Sequence, residues 1–363
     1  MQDNTAAMSS LYARMAAIFV PHPRFVELLD DIKATIALHG ASDELPCLHV
    51  SGPSGVGKTT LVKKLMASYP VERDARRISD PPFENVTADH IPVLRIEMPP
   101  QPTVVSIAQE MLKAFGDPNW FKGSRTSVER RVDLYTARCG TRCFVIDEAQ
   151  RTVDRNGTVV KADLADWFKK RHAETGTILV LVGLGRLSYL FERDAQIKGR
   201  WNAELRLQPY QWTKDGVDHL EDQDDFISIL AAVKDISPIP FAAQADVEQA
   251  DDKAATDVAK RFYYASQGLV GLLMKLFKGA VQIAMRWPER YPELDFVLLH
   301  EAFERSFRYR QDGMINPFGP AWAKQLPPPV QDDTLLLNPP PRLRPVKRAA
   351  QRRRELVEAL SKA

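Results

Sequence analysis

The run Gly52-Pro53-Ser54-Gly55-Val56-Gly57-Lys58-Thr59 satisfies every fixed position of the pattern G-x-x-x-x-G-K-[ST]. An apolar stretch, Cys47-Leu48-His49-Val50, precedes it, and Thr59 to Tyr69 has the composition of a helix. A strand, a glycine-rich turn and a helix in that order form an anion cradle. Glycines let the backbone curl inward, so several N–H groups converge on phosphate oxygens, and the positive end of the helix adds to the field. Lys58 is expected to reach the β- and γ-phosphates of a nucleoside triphosphate, and the Thr59 hydroxyl to ligate Mg²⁺. Gly52 to Thr59 together with Thr60 are therefore the candidate cofactor-binding residues, with ATP and Mg²⁺ as cofactors.

The rest of the chain fits a parallel sheet around that loop. After Cys47–Val50, strand patterns recur at Val93–Glu97, Cys143–Ile146, Thr177–Val182 and Glu204–Leu207. Cys143–Ile146 and Thr177–Val182 are continuously apolar, as in strands covered on both faces. Helical patterns lie between them, at Thr103–Phe115, Ser127–Arg138, Lys161–Glu174 and Arg186–Glu192. Arg24–His39 precedes the sheet as an amphipathic helix with Phe25, Leu28, Leu29, Ile32 and Ile36 on one face. Alternation of this kind predicts an α/β fold, a parallel five-stranded sheet flanked by helices. Pro70 to Pro92 reads as a polar surface excursion. From Lys214 onward strand signals vanish, and helices are expected at Asp215–Val233, Gln249–Ser266, Leu269–Arg286 and Leu294–Phe307. The expected organisation is an N-terminal arm and helix (1–45), a nucleotide-binding core (46–213), a small all-helical domain (214–313) and an extended Pro-rich basic tail (314–363). Within the tail only Arg352–Ser361 has helical character.

Composition narrows the setting. A chain of 363 residues has room for two or three domains. Its net charge of +2 gives no global attraction to nucleic acid, so any such surface must be local. Asp215 to Asp257 is acidic and reads as a solvated face. The three cysteines, Cys47, Cys139 and Cys143, suit neither a disulfide framework nor a metal site, and they fit a reducing cytoplasm. Met1–Ser10 lacks the apolar core of a signal peptide, and no uncharged run approaches membrane-spanning length. A cytoplasmic protein with no membrane partner is expected.

Asp147-Glu148 follows the apolar strand Cys143–Ile146 directly. At the carboxyl end of a strand beside the phosphate loop, Asp147 would join Thr59 around Mg²⁺ and Glu148 would polarise the attacking water. The alternative is a solvated acid pair capping a strand. Arg200, between the helix after Thr177–Val182 and the last strand, would complete a neighbouring subunit's site; it reads otherwise as a surface arginine paired with Glu204 or Asp194, and Arg193 is its nearest competitor.

Taken together, the phosphate loop, Val145-Ile146-Asp147-Glu148, the next buried strand, an arginine before the last strand and a helical lid resemble an AAA+ P-loop ATPase. A closer resemblance, to the TniB/TnsC family of transposition regulators, rests on Phe19-Val20-Pro21-His22-Pro23-Arg24 and Val145-Ile146-Asp147-Glu148-Ala149-Gln150. It rests further on Leu181-Val182-Gly183-Leu184-Gly185, Gly268-Leu269-Val270-Gly271-Leu272-Leu273 and Ile315-Asn316-Pro317-Phe318, and covers about Phe19 to Phe318. The resemblance implies an ATPase that assembles on double-stranded DNA as a homo-oligomeric ring or helical filament. It also implies a link between a TniQ-like target selector and a DDE transposase, reset by ATP hydrolysis; some relatives serve CRISPR-associated transposons. Two positions depart from the AAA+ pattern. Gly183 stands where many members carry a polar γ-phosphate sensor, and Gly271 where many carry a lid arginine. Slow hydrolysis, or dependence on Arg200 from a neighbour, is the expectation.

A filament on DNA needs a basic, sequence-blind strip. Lys122, Arg125 and Thr126 are the candidate DNA contacts, with solvated loop charges as the alternative; Arg151 and Arg155 form a second patch. Trp120 and Phe121 read as packing residues or a partner surface. The tail reads as a docking peptide for the transposase, a tether to DNA, or inert chain.

Overall fold

A computed structural model describes residues 19–40, 47–78, 86–154, 158–190, 203–214, 216–248, 252–307 and 314–330. Arg155, Arg193, Asp194, Arg200 and everything beyond Val330 lie outside the described residues.

Helix α1 (Pro23–Ala37) starts on a proline, whose missing N–H costs nothing at a first turn, and buries Phe25, Leu28, Ile32 and Ile36. Strand β1 (Leu48–Ser51) leads through the glycine loop into α2 (Lys58–Ser68). The polar excursion that follows is not loop throughout: β2 (Glu72–Arg77) and β3 (Thr87–His90) form an antiparallel ribbon. Its residues are exposed or half-exposed, so the apolar alternation that betrays a half-buried strand is missing.

Next come β4 (Val93–Glu97), α3 (Val104–Phe115) and α4 (Arg125–Cys139). Thr103 and Ser106 form a reciprocal capping box on α3, and Ser124 caps α4. Then follow β5 (Cys143–Asp147), the single turn α5 (Arg151–Asp154), α6 (Thr158–Thr175) and β6 (Ile178–Gly183). A 3₁₀ helix over Gly185–Leu190 occupies the expected helical stretch as far as the structure describes it, and β7 (Ala203–Arg206) ends the series.

The five long strands form one parallel sheet in the order β4-β5-β6-β1-β7. Both faces are covered, and strand parity sorts the core in two. Cys143 and Val145 of β5 pack with Leu48 and Val50 of β1 and with Leu61 and Leu65 of α2. Phe144 and Ile146 point the other way, to Ile107, Leu112, Val132 and Phe168. All three cysteines are buried thiols, and burial pushes the Cys143 thiol far up, which keeps it protonated.

The chain then turns helical. A short hairpin, β8 (Thr213–Lys214) with β9 (Val217–Asp218), takes up the residues expected to open a helix, turning at Gly216 with φ of 80°. Helices α7 (Leu220–Ile236), α8 (Asp252–Ser266), α9 (Val270–Arg286) and α10 (Phe296–Phe307) follow. They share one continuous core with the β1 side of the sheet. The acidic stretch is not solvated throughout, contrary to expectation. Asp222 is 2% exposed and pairs with Arg24; Asp246, 1% exposed, pairs with Lys234 at 2.9 Å. A carboxylate survives burial when cations and N–H groups surround it, as here.

Residues 314–330 turn over 317–321 and carry no helix or strand, and they are fastened to the helices. Phe318 meets the Phe262 ring edge-on at 5.3 Å and lies tilted 6.0 Å from Phe296, Trp322 meets the Tyr264 ring edge-on at 5.1 Å, and Lys324 pairs with Asp257 at 2.6 Å. Gln267 Nε2 donates to the Pro328 carbonyl at 2.7 Å. Among the described residues no single helix is long and apolar enough to cross a membrane.

Candidate nucleotide site

The glycine loop sits at the carboxyl end of β1, between the ends of β6 and β7. Gly55 and Gly57 have φ of 86° and 117°, in the left-handed region where a side chain is strained. Gly52 is needed for a different reason: a Cβ there would lie 2.4 Å from the Leu207 carbonyl oxygen. The first turn of α2 has no side-chain cap and no acidic residue, so its N–H groups and positive end face the loop. Lys58 folds back over the loop, its ammonium donating to the Gly52 carbonyl at 2.7 Å and the Pro53 carbonyl at 2.9 Å. Thr59 and Thr60 are exposed at the mouth. An anion carrying several oxygens fits this cradle of N–H donors and one ammonium.

Asp147 and Glu148 end β5, two strands away from the loop. Asp147 is buried; its Oδ2 accepts from Arg95 at 2.8 Å and its Oδ1 from the Glu148 N–H at 3.0 Å. A carboxylate has about four lone-pair sites, so capacity remains for a cation or its water. The hydroxyl of Thr59 and the Asp147 carboxylate are hard oxygen donors of the kind Mg²⁺ takes alongside phosphate oxygens and water. Among the described residues no cluster of three or more His, Cys, Asp or Glu side chains holds a metal independently. Glu148 has φ of 58°, an uncommon left-handed value for a residue with a side chain. Its Oε2 accepts from Gln150 Nε2 at 2.7 Å, and Gln150 Oε1 in turn accepts from the Leu184 N–H at 3.2 Å. The acid pair is thus hydrogen-bonded on both members.

Gly183, at the end of β6, has a steric explanation. A Cβ there would sit 2.6 Å from Gln150 Oε1 and 3.0 Å from the Gln150 nitrogen. Gly271 has one as well, for its Cβ would lie 2.3 Å from the Gly55 carbonyl oxygen. The first turn of α9 therefore rests on the phosphate loop itself, and Leu272 touches Gly55 from the same turn.

A cleft of 410 Å³ opens between the loop and the helices, lined by Phe19, Val20, His22, Thr60, Val270 and Met274 among others. Its walls are fastened by the Pro-His-Pro-Arg segment. The His22 Nδ1 and the Tyr210 hydroxyl lie 3.0 Å apart, and the Arg24 guanidinium sits 4.4 Å over the Tyr210 ring. Arg24 also donates to the Pro209 carbonyl at 3.3 Å and pairs with Asp222, which accepts from the Gln211 N–H at 2.7 Å. Burial, reinforced by Arg24, lowers the His22 pKa to about 4, so the ring is neutral at pH 7. Burial also lowers the pKa of Lys278, which lines the cleft, with Lys63 adding to the effect. The sequence offered only the motif here; the roles of Tyr210 and Asp222 depend on partners far along the chain.

The other expected site residues are dispersed. Lys122 and Thr126 are exposed, and the Lys122 ammonium lies 5.4 Å over the Phe121 ring. Arg125 is committed to Glu129 at 2.9 Å and Asp163 at 3.0 Å. Arg131, which sequence reading passed over, shapes the loop by bonding Asp117 at 2.6 Å, the Asn119 carbonyl at 2.9 Å and the Lys122 carbonyl. Trp120 is half-buried and Phe121 is 54% exposed. Arg151 is held by Glu97 at 2.7 Å and the Met98 carbonyl. Glu204, one partner considered for Arg200, is engaged by Ser51 at 2.9 Å and Arg206 at 2.7 Å.

A parallel sheet in this strand order, with a glycine loop after β1, an acid pair at the end of β5 and a helical region following, defines the AAA+ class of P-loop ATPase folds. The chain belongs to the TniB family: the family model described as bacterial TniB protein matches residues 13–212. No curated protein sequence matches it. Among solved structures, the Aeropyrum pernix Orc1 protein in complex with DNA superposes with a TM-score of 0.53 at 16% identity, covering 79% of this chain and 66% of that one. The Aeropyrum pernix Orc2 protein gives a TM-score of 0.50 at 14% identity, covering 81% and 71%. At such identities the likeness is one of fold, and the chain spans just under two thirds of the Orc1 chain.

Proposed function

We propose that this protein is an ATP-dependent regulator of DNA transposition that oligomerises on double-stranded DNA as a ring or helical filament and is reset by hydrolysis. The observation that carries the reading is that the Lys58 loop and the Asp147–Glu148 pair both follow strands at the carboxyl end of one parallel sheet. Membership of the TniB family supports the setting, and the DNA in the complex of the similarly folded Orc1 protein supports DNA as partner.

In this reading the N–H groups of Gly52 to Thr60 and the Lys58 ammonium bind the β- and γ-phosphates of ATP. Thr59 and Asp147 hold Mg²⁺, which when bound supplies neutralising charge to the phosphates. Glu148 accepts a proton from the attacking water and orients it. The adenine ring of the nucleotide lies in the cleft between Phe19–His22 and α9. Arg200 of an adjoining copy completes the pocket, which couples turnover to assembly. Lys122, Arg125 and Thr126 meet the DNA backbone, with Arg125 first having to leave its two carboxylates. A TniQ-like target selector and a DDE transposase are the protein partners, the latter through the tail at 314–363, and the helices at 214–313 serve as the lid.

A second reading, a nucleotide-gated scaffold with little turnover, is favoured by Gly183 and Gly271, which stand where a γ-phosphate sensor and a lid arginine would act. An AAA+ switch for replication-helicase loading or secretion shares the same core. Electron microscopy of the protein with duplex DNA and a slowly hydrolysed ATP analogue tests the main reading. Regular assemblies that Lys58→Ala abolishes are expected; a monomer at saturating ATP and DNA would overturn it.

A further inference from the structure

The position where this fold would offer a polar side chain to the γ-phosphate, at the end of β6, is Gly183, which has none. The space beside it is filled from the turn that follows the neighbouring strand β5. Gln150 is 5% exposed, and both ends of its amide are used. Leu184 N–H is a donor and must face the amide oxygen, 3.2 Å away; the NH₂ group is then left for the Glu148 carboxylate at 2.7 Å. The backbone ties the same elements together, since Ala149 N–H donates to the Val182 carbonyl at 2.9 Å. A side chain at 183 could not coexist with this arrangement, because its Cβ would meet Gln150 Oε1 at 2.6 Å.

We propose that Gln150 is the positioning residue of the hydrolytic site, carrying the end of β6 to the Glu148 carboxylate through the gap that Gly183 leaves. The inference rests on the ATPase reading above. A buried amide that donates to a carboxylate fixes its rotamer, and a general base must be held to within fractions of an ångström to act on a bound water. Glutamine alone fits both partners: glutamate would face Glu148 with a like charge, alanine would leave the Leu184 N–H and the carboxylate unpartnered, and asparagine is one methylene short. The left-handed backbone at Glu148 is strain that such a fastening holds in place.

The test compares steady-state ATP hydrolysis by the parent, Gln150→Ala, Gln150→Glu and Gly183→Ala, with Lys58→Ala as the control, at saturating Mg²⁺ and duplex DNA. ATP affinity and thermal midpoint are measured alongside. For Gln150→Ala and Gln150→Glu, kcat is expected to fall about 10–100-fold while KM and ATP affinity stay near parental values, with the thermal midpoint lowered only as far as one unpartnered buried polar group requires. Gly183→Ala should lower kcat in the parent but add little in the Gln150→Ala background, because both changes break one linkage. A Gln150→Ala protein with parental kcat overturns the inference, as does a loss of kcat, affinity and thermal midpoint in step, the mark of a turn cap. A parent without hydrolysis that depends on Lys58 overturns the ATPase reading and this inference with it; parental turnover in Gln150→Ala overturns this one alone.

Discussion

Gly271 and Gly55 meet so closely that a methyl group on the first would lie 2.3 Å from the carbonyl oxygen of the second. The helices are thus seated on the phosphate loop through bare backbone, and a lid arginine has no room at this point. Gly271→Ala should cost about 1–3 kcal/mol of stability, the usual range for overpacking, and reduce stabilisation by ATP in a thermal shift assay. Gly271→Arg should weaken ATP binding; faster hydrolysis by that variant would show that the contact is dispensable.

Acid should loosen the wall of the cleft. His22 has its pKa lowered to about 4 from 6.5, so in this window the unfolded chain takes up a proton that the folded protein refuses. Its contribution is complete above pH 6.5 and is lost as pH falls toward 4, on the order of 3 kcal/mol in all. Denaturant titrations of the parent and His22→Gln at pH 7 and pH 4.5 measure it. The parent should lose more stability than the variant between the two pH values, and equal losses would assign the acid sensitivity elsewhere.

Glu148→Gln keeps the shape of the site and removes the base. ATP binding should persist while kcat falls about 10²–10⁴-fold, and the protein should stay longer on DNA. Lys58→Ala should lose ATP binding and DNA assemblies together. Dissociation from labelled duplex after ATP dilution distinguishes the two, and faster release by Glu148→Gln would remove Glu148 from the role of base.

The loop at 122–126 makes a graded prediction. Removing one cation from a DNA phosphate should flatten the log–log salt dependence of binding by about 0.9. Lys122→Ala should show the full change. Arg125→Ala should show less, since Glu129 and Asp163 already neutralise the guanidinium. A slope unchanged in both variants would retire this loop as a DNA-binding element.

How much of this could be read beforehand depended on whether the signal was local. The strands at Cys143–Asp147 and Ile178–Gly183 were readable because both faces are buried, which forces an unbroken apolar run. The phosphate loop was readable because its chemistry needs fixed residues at fixed spacing. The ribbon Glu72–Arg77 with Thr87–His90 was not, since an exposed pair of strands has no apolar face to announce it. Asp222 looked like one more solvated acid in an acidic stretch, and only folding brings Arg24 to it. Gly183 and Gly271 looked like missing sensors; what fills their places is Gln150 in one case and the main chain of Gly55 in the other.

The segment at 314–330 gives the helices a handle. Gln267 grips the Pro328 carbonyl, and the next residue, Gly268, is pressed against the Tyr210 carbonyl with no room for a side chain. From that corner the chain enters α9, whose opening turn rests on Gly55. The segment's anchor at Gln267 thus lies only four residues along the chain from Gly271, the residue seated on the phosphate loop.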